Sequence, residues 1–264
     1  MAEYILKLRT VQANGFQKLI ECMKDILMDV NWEFSESGVK VLCMDGSHVS
    51  LINMKLEAKN FEYYKCVNTI KIGINMAIFA KLIKTSNNSD AITLCILASN
   101  PNELLIIIDN DEKGVKTKFE LKLLDIDDKK ITVPNTEPDI MITMPSQDLQ
   151  KLFRDFMIIS DVLHVEATSE YLKFSCQGDF ANRETVIKNS MGGDEIISHT
   201  NNGGAVVGKF SLKYLNLFTK GSTNLCSVVE IILKNNYPIF IKYAVASLGY
   251  ITFCLAPKLD DDIS

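Results

Sequence analysis

Hydrophobic and polar residues alternate with a period of two over many short stretches of this chain. The clearest is residues 116–124, where Phe119, Leu121 and Leu123 share one face and charged residues occupy the other. The same alternation predicts strands at residues 3–10, 48–56, 91–98 and 103–109, and later at 228–233, 239–244 and 250–255. This pattern is typical of antiparallel sheets that are buried on one face only.

Four short segments instead have the spacing of amphipathic helices. Residues 13–28 place Phe16, Leu19 and Met23 on one side, and the other predicted helices are residues 74–84, a segment that begins at Pro145, and residues 210–221. Turns at residues 35–38 and at 169–170 predict two hairpins. A polar stretch at residues 189–204 is predicted to be a mobile loop.

The second half of the chain repeats the pattern of the first. Residues 16–20 match 149–153 and residues 39–43 match 172–176, with the same separation along the chain. Residues 79–84 and 119–123 match 215–220 and 251–255 at nearly that separation. Internal repeats change the interpretation of the whole fold. We therefore predict an α+β fold of two duplicated domains, each an antiparallel sheet with two short helices on one face.

The domain boundaries follow from the stretch at the midpoint of the chain. Pro134 and Pro138 discourage regular structure there, so residues 122–139 are predicted to connect a domain at 1–121 to a domain at 140–264. The connector also contains a short apolar segment, Ile131 to Val133, that is available for another molecule to bind.

Composition limits the class of protein. The chain has 264 residues, of which 47% are hydrophobic, and this supplies enough apolar material for two cores. No apolar run reaches the length of a membrane span, and the first residues make a poor signal peptide. The 7 cysteines form no CxxC pair, so we expect reduced thiols in an intracellular protein.

No catalytic or metal-binding motif is found in the sequence. GxSxG and HExxH are absent, and no cysteine–histidine pairing is evident. The acidic clusters at residues 109–111 and 125–128 lack the glycine and distal glutamate of an EF-hand loop, so we expect solvated turns. We therefore expect neither an enzyme nor a bound cofactor or metal.

Charge is distributed unevenly in this acidic chain of net charge −5. The predicted helices carry four acidic residues and eight basic ones, and the basic set is Lys18, Lys24, Lys81, Lys84, Lys151, Arg154, Lys213 and Lys220. One interpretation is an ordinary solvated helix face. The other is that a duplicated sheet places all four helices on one side, where they form a basic surface for double-stranded DNA. Such contacts with phosphates would be independent of sequence and sensitive to salt.

Several motifs closely resemble the signature of the eukaryotic sliding clamp, the proliferating cell nuclear antigen family. They are SGV at residues 37–39, MDGSHVSL at 44–51, ELKLLDID at 120–127, YLNLFTK at 214–220 and LAPK at 255–258. The resemblance covers essentially the whole chain. It implies a DNA polymerase processivity factor in which three subunits form a homotrimeric ring around duplex DNA, with sheets outside and helices lining the hole. The basic helix residues fall at or near the positions that face DNA in this family.

The resemblance also implies two protein-binding surfaces. A client groove under the connector would use Met44, His48, Val49, Leu51, Ile131, Val133, Pro134, Pro238, Cys254 and Ala256. Polymerases, flap nucleases, ligases and the clamp loader would dock there through a short peptide with an aliphatic residue and two aromatics. The contact between subunits would pair the strand at 116–123 with that at 180–188, and would include Lys116, Lys118, Phe119, Phe180, Arg183 and Val186.

Three positions depart from the family pattern. Cys254 stands where a tyrosine is usual, Arg183 where a small residue is usual, and Ser169 near the position of the lysine that carries ubiquitin. The expected location is the nucleus, or the intracellular site of viral DNA replication. Two other functions stay open: a checkpoint-type clamp subunit that assembles only with different chains, and a monomeric processivity or scaffold protein of the same fold.

Overall fold

The computed structural model describes residues 3–127, 131, 137–188, 196–199 and 204–258, and residues 196–199 through their backbone alone. The chain divides into two compact units. The N-terminal unit comprises Met1–Gly46, Ile52–Ile131 and Ala244–Ile251, and the C-terminal unit comprises Ser47–Leu51, Thr132–Tyr243 and Thr252–Ser264.

The N-terminal unit contains two helices among its strands. Its elements are β1 (Tyr4–Thr10), α1 (Ala13–Lys24), β2 (Asp29–Ser35), β3 (Gly38–Met44), β4 (Ser50–Glu57), β5 (Tyr63–Cys66), β6 (Ile70–Asn75), α2 (Met76–Ile83), β7 (Ala91–Leu97), β8 (Asn100–Asn110) and β9 (Val115–Lys122). One sheet has the strand order β5-β1-β7-β8-β9, and a second run has the order β4-β3-β2-β6. Each strand pairing of the first sheet is antiparallel.

The C-terminal unit repeats this composition. Its elements are β10 (Ile140–Pro145), α3 (Ser146–Met157), β11 (Val162–Ala167), β12 (Tyr171–Gln177), β13 (Asn182–Lys188), β14 (Ile196–His199), β15 (Val206–Ser211), α4 (Leu212–Lys220), β16 (Val228–Leu233), β17 (Ile239–Val245) and β18 (Gly249–Leu255). The strand orders are β13-β12-β11-β15 and β14-β10-β16-β17, while the residues of β18 are divided between the two units. Two units, each of antiparallel strands with two short helices, confirm the predicted fold class.

Aromatic side chains under the helices fill the core of each unit. In the N-terminal unit Trp32 is fully buried, with ring centroids 5.7 Å from Phe79 and 6.5 Å from Phe16 in edge-to-face geometry. In the C-terminal unit Phe153 of α3 meets Phe174 of β12 in the same way at 5.9 Å. Burial of the apolar helix faces therefore fixes the opposite, charged faces toward solvent.

The structure corrects several of the predicted boundaries. Helix α1 ends at Lys24 and not at residue 28, and Ile74 and Phe210 belong to the strands that precede α2 and α4. Strands β5, β6, β10 and β15 were not predicted. The stretch 189–204 is also not wholly a loop, because β14 pairs with β10 from Ile140↔His199 to Thr143↔Ile196.

Candidate functional site

Helices α3 and α4 pack side by side and form a groove that brings together three predicted DNA-binding residues. The groove has a volume of about 380 Å³, and its lining includes Arg154, Lys213 and Lys220. The apolar part of its lining comes from Met157 and Leu217. Predicted contact residues that are distant in sequence are thus neighbours in space.

Two amides that the sequence analysis missed hold this helix pair together. Gln150 Nε2 of α3 donates to the carbonyl oxygens of Thr219 and Lys220, each at 3.3 Å. Asn216 Nδ2 of α4 donates to the carbonyl oxygen of Phe153 at 3.2 Å. The bonds from Gln150 satisfy carbonyls at the end of α4, which lack partners within the helix itself, and the bond from Asn216 links α4 to the body of α3. They fix the spacing of the cations on either side of the seam.

The groove keeps most of its positive charge. Arg154 Nε lies 3.9 Å from Asp155 Oδ1. The other oxygen of this carboxylate, Oδ2, lies 3.6 Å from Arg183 Nη1. Within the described part of the chain, no carboxylate lies within 4.0 Å of the exposed side chains of Lys213 and Lys220. Exposed cations of this kind are suited to weak contacts with phosphate.

The N-terminal unit carries its four predicted contact residues on α1, on α2 and directly after α2. Lys24, Lys81 and Lys84 are exposed and Lys18 is half-buried. Lys84 Nζ lies 4.0 Å from Glu21 Oε1, so an exposed ion pair of small energetic value spans the two helices. Lys151 of the C-terminal unit is likewise exposed on α3.

The predicted client-groove residues fall in both units. Within the C-terminal unit the backbone N–H of Ala256 donates to the carbonyl oxygen of Val49 at 3.1 Å, so these two are brought together. His48 is exposed and has φ of 59°, an uncommon conformation for a non-glycine residue. Leu51 and Pro238 are half-buried, Met44 and Ile131 belong to the N-terminal unit, and Val133 and Pro134 lie outside the described residues.

Cys254 is largely buried, and this affects its chemistry. Its exposed fraction is 6%, and burial raises the pKa of its thiol to about 12. The side chain is therefore a neutral, small apolar group near neutral pH. Any pocket it borders has less aromatic surface than one bordered by tyrosine.

The first part of the predicted connector is held against the N-terminal unit. The N–H of Leu124 donates to the carbonyl oxygen of Gly73 at 2.9 Å, and Asn31 Nδ2 donates to the carbonyl oxygen of Ile126 at 3.0 Å. A side-chain carbon at Gly73 would lie 2.4 Å from the carbonyl oxygen of Leu124. Gly73 and Asn31 were not singled out in the sequence, because their partners are about 50 and 95 residues away.

Each unit also exposes one long strand at a sheet edge. Strand β9 pairs with β8 and strand β13 with β12, and each is the last strand of its sheet among the described residues. Lys116, Lys118 and Val186 are exposed on these strands, and Phe119 is half-buried. Just before β13, Phe180 is 73% exposed. Ile158, at the end of α3, is 71% exposed and was missed in the sequence.

Arg183 of β13 has partners within its own unit. Its guanidinium carbon lies 4.7 Å from the centre of the Phe156 ring, and its Nη1 lies 3.6 Å from Asp155 Oδ2. This cation–π contact places the side chain against α3, on the side of the sheet that carries the helices. The unusual arginine at this edge is therefore held in a defined position.

The described residues contain no group of three or more His, Cys, Asp or Glu side chains arranged to hold a metal ion. None of the described helices is long and apolar enough to cross a membrane.

Comparison with known proteins gives consistent matches along the chain. The family model for the N-terminal domain of proliferating cell nuclear antigen matches residues 5–130, and that for the C-terminal domain matches residues 132–258. The chain is 37% identical over 259 residues to a "Probable DNA polymerase sliding clamp 1" of Paramecium bursaria Chlorella virus 1, covering 97% of both chains. It is 34% identical over 269 residues to a "Proliferating cell nuclear antigen" of Chaetomium thermophilum, covering 98% of this chain and 100% of the other.

Proposed function

Because the chain belongs to the proliferating cell nuclear antigen family and is a sliding-clamp processivity factor, we propose that three identical copies close into a ring around duplex DNA. The proposal includes two repeated domains, at residues 1–121 and 140–264, joined by a connector at 122–139. The observation that carries it is the groove between α3 and α4, where Arg154, Lys213 and Lys220 converge on a chain of net negative charge.

We propose that the basic helix faces meet the DNA backbone. Lys18, Lys24, Lys81 and Lys84 of the N-terminal unit and Lys151, Arg154, Lys213 and Lys220 of the C-terminal unit would contact phosphates. Such contacts read no sequence and weaken steeply with salt, so a ring held by them can slide. Encirclement would prevent loss by diffusion although each contact is weak.

Ring closure is proposed to pair β9 of one copy with β13 of the next. An exposed edge strand is a template for another chain, and head-to-tail pairing with a rotation that closes leaves no free edge. Lys116, Lys118 and Phe119 would lie on one side of this contact, and Phe180, Arg183 and Val186 on the other.

The proposed client groove would tether replication and repair proteins. Polymerases, flap nucleases, ligases and the clamp loader would insert a short peptide with an aliphatic residue and two aromatics beside Val49, Pro238 and Ala256. Tethering raises the effective concentration of the enzyme at its template, and the chain itself performs no chemical step. The proposed location is the nucleus, or the site of viral DNA replication for a viral chain.

Retention on DNA tests the proposed encirclement. The ring should stay on closed circular DNA at moderate salt and leave it within minutes after linearisation, because a free end lets it slide off. The variant Lys81→Glu/Lys84→Glu should be retained less well than Lys40→Glu/Lys65→Glu, a double reversal of equal charge at exposed lysines of β3 and β5. Equal loss from circles and linear DNA would contradict encirclement, and equal retention of both variants would contradict the basic lining.

A further inference from the structure

Two motifs that are distant along the chain meet in the C-terminal unit. The hydroxyl oxygens of Ser47, in the motif at residues 44–51, and of Tyr214, in the first turn of α4, lie 2.5 Å apart and form a hydrogen bond. Ser47 is exposed and Tyr214 is half-buried. Neither residue is among the proposed groove or DNA-contact residues, although Ser47 directly precedes the groove residue His48.

The backbone at His48 needs support from its neighbours. Its φ of 59° is a left-handed conformation that a residue with a side chain rarely adopts unless the surrounding structure holds it. Hydrogen bonds lie on both sides of it. The Tyr214 hydroxyl bonds to the preceding residue, Ser47, and the N–H of Ala256 donates to the carbonyl oxygen of the following residue, Val49, at 3.1 Å. The turn that contains His48 is therefore tied to the C-terminal unit before and after this residue.

The ring of Tyr214 is itself held by the core of the C-terminal unit. Its centroid lies 6.4 Å from that of Phe218, one turn later on α4, and Phe218 stacks on Phe253 at 5.0 Å with an interplanar angle of 14°. Phe218 and Phe253 are fully buried. Helix α4 is also hydrogen-bonded to α3. The Tyr214 hydroxyl is thus offered to Ser47 from a fixed position, whereas residues 46–49, which receive it, are exposed.

We propose that Tyr214 is a positioning residue for the client groove. Its hydroxyl holds Ser47, so that His48 and Val49 form a wall that already has the shape in which a client peptide binds it. Such a wall loses less conformational freedom on binding, so removal of the hydroxyl weakens binding although no contact with the peptide is removed. This inference rests on the proposed client groove and adds to it a residue that lies outside the groove.

Peptide titration measures the contribution of the hydroxyl. A fluorescent peptide with one leucine and two phenylalanines is titrated with the unchanged chain and with Tyr214→Phe, which keeps the ring and removes only the hydroxyl. The variant should bind about two- to tenfold more weakly, the range that corresponds to the loss of one hydrogen bond. Tyr63→Phe, the same change at an exposed tyrosine of β5, is the control and should bind as the unchanged chain does.

Variants of Ser47 test whether Tyr214 acts through this partner. Ser47→Ala should weaken peptide binding as much as Tyr214→Phe, and the double variant should bind no more weakly than either single variant, because both changes remove the same bond. Ser47→Thr keeps a hydroxyl and should stay within about twofold of the unchanged chain. The amide hydrogen of Ala256 should exchange with solvent faster in Tyr214→Phe, since its acceptor on Val49 lies in the loosened turn.

The outcomes separate the positioning role from the groove on which it depends. Unchanged peptide binding in Tyr214→Phe would refute the role and leave the groove in place. Losses in the two single variants that add in the double variant would show that the two hydroxyls act separately, and this would also refute the role. If the unchanged chain binds no such peptide, the groove fails and this inference fails with it.

Discussion

At the scale of single residues, Gly73 controls where the connector begins. Gly73→Ala should destabilise the chain by about 1–3 kcal/mol, because the new methyl group would overlap the carbonyl oxygen of Leu124 and force the two segments apart. The measurement is the urea midpoint and slope, compared with the unchanged chain.

Gly46→Ala is the control for that substitution. A side-chain carbon at Gly46 would meet nothing within 4 Å, so its effect should stay within about 0.5 kcal/mol. Equal effects of the two substitutions would show that the close approach of Gly73 to the carbonyl oxygen of Leu124 does not affect stability.

Asp90 is a buried carboxylate whose role should depend on pH. Asn110 Nδ2 donates to Oδ1 at 2.6 Å, and the N–H of Asn87 donates to Oδ2 at 2.7 Å. Burial raises the pKa of Asp90, but the hydrogen bonds from Asn110 and Asn87 outweigh burial and leave the pKa below its ordinary value. The stabilisation is therefore complete above the unfolded pKa of about 3.9 and is lost as pH falls through the lower folded pKa.

Asp90→Asn should lower the free energy of unfolding by about 1.5–3 kcal/mol at pH 7. The amide NH₂ of the new side chain would have to face either the N–H of Asn87 or the NH₂ of Asn110, and two donors cannot form a hydrogen bond with each other. The difference from the unchanged chain should shrink as the pH falls below about 4. Urea unfolding across pH measures it, with Asp111→Asn as control, since the Asp111 side chain is 90% exposed and its nearest cation is 3.8 Å away. A difference that persists at low pH would contradict the electrostatic explanation.

Residue-level prediction from sequence succeeded where the signal was local. Helical spacing indicated that Lys81, Lys84 and Lys213 face away from the apolar side, and all three are exposed. Gln150 could not be identified, because its partners on α4 lie about 70 residues later and nothing in its neighbourhood marks them. Contacts between segments that are distant in sequence could not be predicted.

At the scale of elements, the four predicted helices agree in number with the α-helices of the described residues, but not in their ends. Ile74 and Phe210 continue the apolar pattern of α2 and α4, yet they lie in the preceding strands. A buried strand that leads directly into a buried helix face gives one unbroken apolar pattern, so periodicity alone cannot locate the junction. Short strands such as β5 have too few residues to give a pattern.

The two strand-to-helix junctions differ in their caps. Asn75 Oδ1 accepts from the N–H of Ile78 at 3.0 Å at the start of α2, whereas Ser211 at the start of α4 makes no side-chain capping bond. Asn75→Ala should therefore cost about 1–2 kcal/mol of stability.

Ser211→Ala is the matched substitution at the equivalent position and should change the unfolding free energy by less than about 0.5 kcal/mol. Both values come from urea unfolding at neutral pH. If Ser211→Ala proves as costly as Asn75→Ala, capping does not distinguish the two helices.

At the scale of the whole molecule, assembly is the property to measure. The unchanged chain should sediment as a trimer at low micromolar concentration, at three times the chain mass of 29.6 kDa. Phe180→Asp should weaken the trimer at least tenfold, because a charge would enter the proposed contact beside β13. Met28→Asp is the control, since Met28 is 76% exposed in the turn after α1 and lies off both edge strands.

Other masses would point to other functions. A monomer that assembles only after different clamp chains are added would indicate a checkpoint-type subunit. A monomer under all conditions that still stimulates a polymerase would indicate a scaffold of the same fold. The duplication could be predicted because the repeated spacing of residues is visible in the sequence. The number of subunits depends instead on exposed apolar residues such as Phe180 and Ile158, whose exposure periodicity does not reveal.

Strands β9 and β13, each the last strand of its sheet among the described residues, have a consequence for the newly made chain before it finds its partners. An uncovered strand attracts any other extended segment, and natural proteins limit this hazard by placing charges along the edge. Lys116, Lys118 and Lys122 lie along β9, and Arg183, Glu184 and Lys188 lie along β13. These charged side chains would disfavour aggregation and fibril formation by monomers that have not yet assembled with other subunits.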